Sequence, residues 1–277
     1  MVTQKTYTIS EVAPYINWSY FFHAWNVGRG AKSEELGVRS ELHREAEMML
    51  QEFDGKYHTH ATYGLFEANS EDDDIIVEQG VRLPMLRQQH PSRKGEPCLC
   101  LADFLRPVSS GHPDKIGLFA ATVDTTMESD YQSDDFMALL AQTLADRLAE
   151  ATVERLHEDI RKHTWGYAAE ECLSIEQLHQ EAFQGIRPAV GYPSLPDTSV
   201  NFLLYDLIDM PSVGIQLTES GMMQPHASVS GLMIAHPKAH YFDLGPIGED
   251  QLADYARRRG MPIAQMRRFL SSNLLRK

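Results

Sequence analysis

The spacing of apolar residues predicts two long helices. From about Ser33 to Phe53, apolar side chains recur on one helical face, at Leu42, Ala46, Met49, Leu50 and Phe53. From about Asp135 to His163, a second stripe runs through Phe136, Leu140, Leu144, Leu148, Ala151 and Leu156. Each helix therefore has one side suited to burial against a sheet or another helix.

Shorter helices are indicated by capping residues and by apolar spacing. Thr8 and Glu11 form a T-x-x-E capping box that opens a short N-terminal helix. Ser174 is a suitable N-cap for a helix over Ile175–Phe183. Two further helices are predicted near the end of the chain, at about Glu249–Arg259 and Pro262–Leu270.

Short runs rich in β-prone residues fill the middle of the chain. The predicted strands are Tyr63–Phe66, Ile75–Val77, Cys98–Phe104, Ile116–Val123, Ile215–Thr218, Val229–Ile234 and Tyr241–Leu244. The polar stretch NSEDDD between the first two suits a hairpin connection, and Ile116–Val123 is apolar enough to be a central strand. Mid-chain strands with helices towards both ends, and no alternating βαβα order, predict an α+β fold.

Composition narrows the class of protein. The 277 residues suit one large domain or two small ones, and 43% hydrophobic with 23% charged residues is an ordinary globular balance. A net charge of −14 argues against general binding to nucleic acid or anionic lipid, and no run of about 18 apolar residues is present. With no signal-peptide pattern in MVTQKTYTISE and only three cysteines, we expect a cytoplasmic protein.

Common catalytic and metal-binding signatures are absent from the sequence. The pairs His58/His60 and Cys98/Cys100 each suit two ligands on one side of a strand, but we favour surface imidazoles and buried thiols. No environment that lowers a thiol pKa is evident near the cysteines. We therefore predict neither a metal site nor a catalytic nucleophile.

Two charged segments have structural explanations as well as functional ones. Glu150, Glu154 and Glu158 follow at i, i+4 and i+8, which is typical of a solvated helix face. Residues 251–277 contain seven basic side chains and one acidic one, a charge of +6, with the helix-Gly-helix order of a helix-turn-helix unit. DNA binding is one interpretation of this tail, and a docking surface for an acidic protein is the one we prefer.

The loop QGIRPAVGYP, residues 184–193, is the clearest candidate for a ligand site. Gly185 and Gly191 allow positive φ or close backbone approach, and the prolines stiffen the loop. Arg187 would then be a fixed bidentate donor for a carboxylate or phosphate. A rigid structural connection is the alternative interpretation.

Several ordered segments resemble the S-adenosylmethionine-binding activation domain of cobalamin-dependent methionine synthase. The loop and its continuation, QGIRPAVGYPSLPDTSV, are similar to that family's QGIRPAPGYPACPDHTEK, and VAPYINWSYFFHAW is similar to its YIDWxPFFxxW. YGLFEANSEDDDIIV, LCLADFLRP, DKIGLFAATV, DRLAEATVERLHEDIRKHTWGYA, SVSGLMIAHPKAHYF and DYARRRGM follow in the family's order. The resemblance extends from about residue 8 to residue 272.

The resemblance implies a fold, a reaction and partners. It implies one α+β domain over residues 1–277, built around a twisted antiparallel sheet with flanking helices. It also implies that S-adenosylmethionine remethylates cobalamin that has fallen to the inactive cob(II)alamin state, with one electron from a reduced flavodoxin-type donor. We expect a separate subunit that is inactive without a cobalamin-binding methionine synthase partner.

The same resemblance implies the site residues. Arg187 would hold the ligand carboxylate, with Ala189 and Gly191 lining the groove; Glu150 and Glu181 would lie near the sulfonium and amino end. Tyr192 would lie towards the corrin, and Tyr241 and Phe242 would line the adenosine side. Transfer of a methyl group needs alignment more than proton transfer, so such a site requires no general base.

Departures from the family pattern leave two other functions open. Asn17 replaces an Asp that would meet the ligand ammonium, Val190 replaces a proline, and PDTSV lacks the His and Lys of PDHTEK. These changes favour a protein that binds S-adenosylmethionine without transferring its methyl group. A reactivator of a different corrinoid methyltransferase is the second alternative.

Overall fold

A computed structural model describes residues 1–27 and 33–275, without the side chains of residues 33–35 and 79. The helices are α1 (Ile9–Val12), α2 (Trp18–Ala24), α3 (Ser33–Phe53), α4 (Asp135–Asp159), α5 (Ile175–His179), α6 (Val200–Leu207), α7 (Glu249–Arg259) and α8 (Ile263–Phe269). The strands are β1 (Val2–Thr8), β2 (His58–Glu71), β3 (Asp74–Val77), β4 (Val81–Pro84), β5 (Asp114–Val123), β6 (Gln216–Leu217), β7 (Met223–Gln224) and β8 (Ser228–Met233). No helix in this part of the chain has the length and apolar character needed to cross a bilayer.

An antiparallel sheet forms the centre of the molecule. Its order is β4-β3-β2-β5-β8, and β1 pairs with the first half of β2 on the edge that β3 uses further along. The long strand β2 pairs with β5 from Thr59↔Val123 to Ala68↔Asp114. A curled antiparallel sheet with flanking helices confirms the predicted α+β fold.

Both faces of the sheet are covered, which explains why β5 is apolar throughout. Phe119 and Ala121 pack towards α3 and α4, whereas Leu118 and Ala120 pack towards α6 and the loops of the opposite face. This alternation follows from the two-residue period of a strand. The helix α4 crosses β2, β5 and β8, and so carries its inner side chains over the middle of the sheet.

Most of the predicted helices are present. The capping box at Thr8 and Glu11 opens α1, and the two long helices and the two C-terminal ones agree with their predicted ranges. Ser174 caps α5 as expected, but this helix ends at His179 rather than at Phe183. The helix α4 continues as one π-helical turn over Ile160–Thr164.

Three strand predictions are wrong or too long. Leu101–Phe104 is a 3-10 helix, because the Asp103 carboxylate accepts a hydrogen bond from the Cys100 N–H at 2.8 Å. Tyr241–Leu244 forms no ladder; the backbone of Phe242 bonds instead to the Ser194 hydroxyl. Of Ile215–Thr218, only β6 pairs, with β7.

Elements that the sequence patterns did not predict are β1, β4, β7, α2 and α6. The strand β1 alternates weakly in burial, and α2 and α6 are only seven and eight residues long. Short elements such as these are stabilised by their tertiary contacts more than by a local pattern.

Candidate ligand-binding site

The loop of residues 184–191 is fixed by pairing with the edge strand β8. Ile186 and Ile234 exchange two backbone hydrogen bonds of 2.9 Å, and the Leu232 N–H donates to the Pro188 carbonyl at 3.0 Å. A Cβ at Gly231 would lie 2.2 Å from the Pro188 carbonyl oxygen, so glycine is needed for this close approach. The loop therefore extends the sheet, which makes it the rigid element that its prolines predict.

Gly185 allows the start of the loop to approach the backbone of Ile234 closely. Its φ of +86° is in the left-handed region, and a Cβ there would lie 2.3 Å from the Ile234 carbonyl oxygen. Gly191 has a φ of +90° at the other end of the loop. Both glycines thus adopt the conformation that the sequence predicts for them.

The helix α4 supplies the wall that faces this loop. Arg147, Glu150, Ala151 and Glu154 follow at helical spacing and project from one side of α4 into a cavity. The cavity has a volume of about 510 Å³. Its other walls come from the segment before α2, from α5, from residues 187–194 and from Tyr241–Asp243.

The Arg187 side chain lies in the cavity wall, and only part of its guanidinium is hydrogen-bonded. Its Nη2 donates to Glu154, whereas its Nε is buried and without a hydrogen-bond partner among the described residues. Glu154 likewise leaves Oε2 buried without a partner there. The backbone N–H of Arg187 donates to the Tyr241 hydroxyl at 2.9 Å, so loop and side chain are both anchored.

Two tyrosines of the wall have raised pKa values. Burial raises the pKa of Tyr241, and burial together with the neighbouring Glu150 carboxylate raises that of Tyr192. The Tyr192 hydroxyl donates to Glu150 at 2.6 Å, although Tyr192 is 51% exposed. Both hydroxyl groups therefore stay protonated at neutral pH and act as hydrogen-bond donors or acceptors.

Asn17 and Glu181 also belong to the polar part of the lining. The Asn17 Oδ1 accepts from the Ser19 N–H at 3.1 Å and so caps α2, which is a structural use that the sequence analysis did not predict. Glu181 has a φ of +58° at the end of α5, and partial burial of its carboxyl group raises its pKa.

The structure brings eight of the nine predicted ligand residues to this cavity. They are Asn17, Glu150, Glu181, Arg187, Ala189, Tyr192, Tyr241 and Phe242. Gly191 borders a neighbouring cavity of about 390 Å³ instead, which shares Arg147, Glu150 and Tyr192 with the first. The placement on one cavity is a geometric result; the role of each residue stays a prediction.

The prediction of a solvated face is wrong for Glu154 and Glu158. Glu154 is 8% exposed and pairs with Arg187, and Glu158 accepts from the Tyr15 hydroxyl at 2.5 Å. A signal for Glu154 was present, because it lies three residues after Ala151 and so belongs to the apolar stripe of α4. Tyr15, Tyr20 and Arg147 also line the cavity, and no sequence pattern marked them.

The other candidate residues lie elsewhere. His58 and His60 flank Asp124, with His60 Nε2 at 2.8 Å from a carboxylate oxygen. Cys100 is buried, and burial raises its pKa to about 12; Cys98 is partly exposed and Cys172 exposed, so the buried-thiol interpretation holds for Cys100 alone. In residues 1–27 and 33–275, no three His, Cys, Asp or Glu side chains are grouped to hold a metal.

The basic C-terminal segment is largely paired within the fold. Arg258 contacts Asp74 and Asp254, Arg259 contacts Asp197 and Ser199, and Arg267 contacts Glu249. Arg258 and Arg259 therefore do not belong to the docking surface predicted on residues 251–277, because their side chains are only 13% and 3% exposed. Arg276 and Lys277 lie outside the described residues.

Comparison with known proteins agrees with this geometry. The family profile described as "Vitamin B12 dependent methionine synthase, activation domain" matches residues 8–260. A solved structure titled "Crystal Structure of the MetH Reactivation Domain bound to AdoHcy" is 36% identical, with a TM-score of 0.93, over 100% of this chain and 91% of that one. The chain belongs to the family of activation domains of vitamin B12-dependent methionine synthase.

Proposed function

We propose that this chain binds S-adenosylmethionine in the 510 Å³ cavity and presents its methyl group to a cobalamin that a partner carries. The family membership supports this proposal, as does the related reactivation domain solved with AdoHcy, the demethylated form of the same ligand. A cavity of this size lies within the range of small-molecule sites.

The observation that carries the proposal is the charge arrangement of the cavity. Its lining contains four carboxylates and only two arginines, Arg147 and Arg187, and each of these has a buried Nε–H without a hydrogen-bond partner among the described residues. S-adenosylmethionine has a sulfonium, an ammonium and one carboxylate, so it matches a site with excess negative charge and guanidinium donors that are not yet used. Tyr15, Tyr20, Tyr192, Tyr241 and Phe242 add aromatic surface for the adenine ring and the sulfonium.

The residues would act by binding and orienting the ligand. Arg187 holds the carboxylate, Glu150 and Glu181 attract the positive end, and Tyr241 and Phe242 contact the adenosine. Tyr192, which is 51% exposed, would face the partner. The partner's cobalamin, once reduced by one electron from a flavodoxin-type donor, would supply the nucleophile that accepts the methyl group, and S-adenosylhomocysteine would be the leaving group.

A labelled methyl transfer assay tests the proposal. The chain is mixed with a cobalamin-bearing fragment of methionine synthase, reduced flavodoxin and S-adenosylmethionine labelled in its methyl group. We expect label to reach the cobalamin with this chain and not with its Arg187→Ala variant. Transfer at the same rate without the chain would refute the function.

A binding protein without methyl transfer is the second candidate, and Asn17 favours it. The amide that stands where the family has an Asp is engaged in capping α2, so it brings no charge to the ligand ammonium. The same assay separates the two functions, because a binding protein would bind the ligand and leave the cobalamin unlabelled. Testing other corrinoid proteins as acceptors covers a reactivator of a different methyltransferase.

A further inference from the structure

Among the described residues, Glu154 is the one carboxylate in contact with Arg187, and no sequence pattern indicated a part for it in the site. It lies on α4 one turn after Glu150, and its side chain is 10% exposed. Its Oε1 accepts from Arg187 Nη2, while its Oε2 is buried and has no partner within the described residues. Both side chains line the same cavity, so the contact is part of the wall that a ligand meets.

Without Glu154, Arg187 has other carboxylates to choose from. Glu150, Glu181 and Asp243 line the same cavity, and the Arg187 Nε has no hydrogen-bond partner among the described residues. A guanidinium in a partly buried site pairs with the nearest available carboxylate, because an unpaired buried charge is costly. In that arrangement the guanidinium would be turned towards the residues proposed to attract the positive end of the ligand.

We propose that Glu154 is a positioning residue that holds the Arg187 guanidinium in the orientation that receives the ligand carboxylate. This inference rests on the proposed binding of S-adenosylmethionine. Glu154 uses one nitrogen of Arg187 and leaves the remaining donors for the ligand, which is possible because a guanidinium has five N–H groups in a fixed plane. Pre-orientation of this kind reduces the ordering cost of binding.

The negative charge of Glu154 should weaken ligand binding, which is opposite to the effect of positioning Arg187. Two variants separate these effects. A carboxylate beside the ligand carboxylate repels it, so removal of the charge alone favours binding. Glu154→Gln keeps an acceptor oxygen at the same place without the charge, whereas Glu154→Ala removes the acceptor. Positioning therefore predicts that Gln preserves binding and Ala does not.

Calorimetric titration with two ligands provides the test. The ligands are S-adenosylmethionine and its decarboxylated analogue, which has the same sulfonium, amine and adenosine but no carboxylate. For Glu154→Ala we expect a loss of about tenfold or more in affinity for S-adenosylmethionine, and little change for the analogue. Glu154→Gln should remain within about threefold of the wild type for both ligands.

The matched control is Glu158→Gln, one turn further along α4. Glu158 bonds to Lys162 and to the wall residue Tyr15 rather than to Arg187, and Glu158→Gln keeps an acceptor oxygen for the Tyr15 hydroxyl, so both affinities should be unchanged. If Glu154→Ala does not fold, Glu154→Asp replaces it, because the shorter side chain keeps the charge and withdraws the contact. That variant should show the same selective loss for S-adenosylmethionine.

Two outcomes would overturn the inference while leaving the proposed function intact. An equal loss for both ligands in Glu154→Ala would mean that Glu154 supports the cavity in general. Unchanged or tighter binding of S-adenosylmethionine would mean that Glu154 competes with the ligand. A wild-type protein that binds neither ligand would instead refute the proposed function, and this inference with it.

Discussion

Arg187 in the cavity and Arg259 in the C-terminal helix α7 are both nearly buried, yet they are used differently. Arg259 donates to the Ser199 carbonyl at 2.8 Å and to the Ser199 hydroxyl at 2.9 Å, and its Nε is 3.6 Å from Asp197. Arg187 has Glu154 as its one side-chain partner in the described structure and lies beside open volume. The contacts of Arg259 with Asp197 and Ser199 are structural, and we call this group the C-terminal joint. Arg187, in contrast, keeps donors available for a ligand.

An unpaired donor alone does not distinguish the two arginines. Arg259 Nε, Arg161 Nη1 and Arg147 Nε are also buried without hydrogen-bond partners in the part of the chain described. Arg259 and Arg161 do not border the cavity, whereas Arg187 and Arg147 do. Access to an empty volume is therefore what makes an incompletely paired arginine a candidate for binding.

The largest effect on the free energy of unfolding is expected from a substitution in the C-terminal joint. Asp197 is 1% exposed and accepts hydrogen bonds from Tyr255 at 2.8 Å and from the Ser199 hydroxyl at 2.7 Å. Asp197→Ala should lower the free energy of unfolding by about 3–5 kcal/mol, because it leaves Arg259 buried without its carboxylate. Urea denaturation measures this change, and a loss below about 1 kcal/mol would contradict the account of the joint.

Addition of a carboxylate to the cavity, in contrast to its removal from the joint, should change the affinity for the ligand and not the stability of the protein. Asn17→Asp keeps the cap of α2, since Asp and Asn are equally good N-caps, and adds a charge next to the ligand ammonium. Affinity for S-adenosylmethionine should rise by about 1–2 kcal/mol, which is fivefold to thirtyfold. The control Asn17→Ala removes the cap and should cost about 1 kcal/mol of stability. No gain in affinity for Asn17→Asp would remove Asn17 from the site.

A pH titration sharpens the role of Glu181. Because partial burial raises the pKa of its carboxyl group, Glu181 is protonated over part of the mildly acidic range where an ordinary glutamate is ionised. A cationic ligand favours the ionised form, so affinity should increase as pH rises through this pKa, and Glu181→Gln should flatten the dependence. Glu176→Gln, on the preceding helix α5, should behave as wild type.

The stability of the free protein should have the opposite dependence on this group. A folded-state pKa above the unfolded one means that the native state binds more protons, so the contribution of Glu181 falls as pH rises. Urea denaturation of wild type and Glu181→Gln should therefore diverge above the pKa, with the variant more stable. Identical pH profiles would show that Glu181 is not desolvated.

The smallest effect is expected at Arg257, the exposed member of the arginine run. Its side chain is 73% exposed, and its contact with Asp254 is a surface ion pair. Arg257→Ala should change the free energy of unfolding by less than about 1 kcal/mol, in contrast to Asp197→Ala. A larger loss in urea denaturation would mean that the C-terminal joint extends to the surface.

The sequence predicted the parts of the site that depend on local pattern. The periodicity of apolar residues predicted α4, and glycine with proline identified the rigid loop that carries Arg187, whereas Glu150 was assigned to the ligand only by the family resemblance. The pairing of that loop with β8 was not predictable, because it depends on a contact between distant segments such as Ile186 and Ile234. The family resemblance, rather than periodicity, selected most of the other residues.

The failed predictions have a common physical cause. Apolar, β-prone runs such as Cys98–Phe104 were assigned to strands, but side-chain hydrogen bonds to the backbone closed a different local structure. Charge counts failed in the same way at Arg258 and Arg259, since their partners Asp74 and Asp197 come from other parts of the chain. A sequence pattern indicates the secondary structure and exposure that a segment prefers. Contacts with residues that are distant in the sequence determine the structure that it adopts.

Calorimetric titration of the purified protein with S-adenosylmethionine, alongside Arg187→Ala, tests the central claim most directly. The account predicts saturable binding by the wild type, and an affinity lower by about 1.5–3 kcal/mol, or more than tenfold, in the variant. The variant should keep its free energy of unfolding to within about 2 kcal/mol, because Arg187 lies on the edge of a cavity. Absence of binding at millimolar ligand, or equal affinity in the two proteins, would contradict the account.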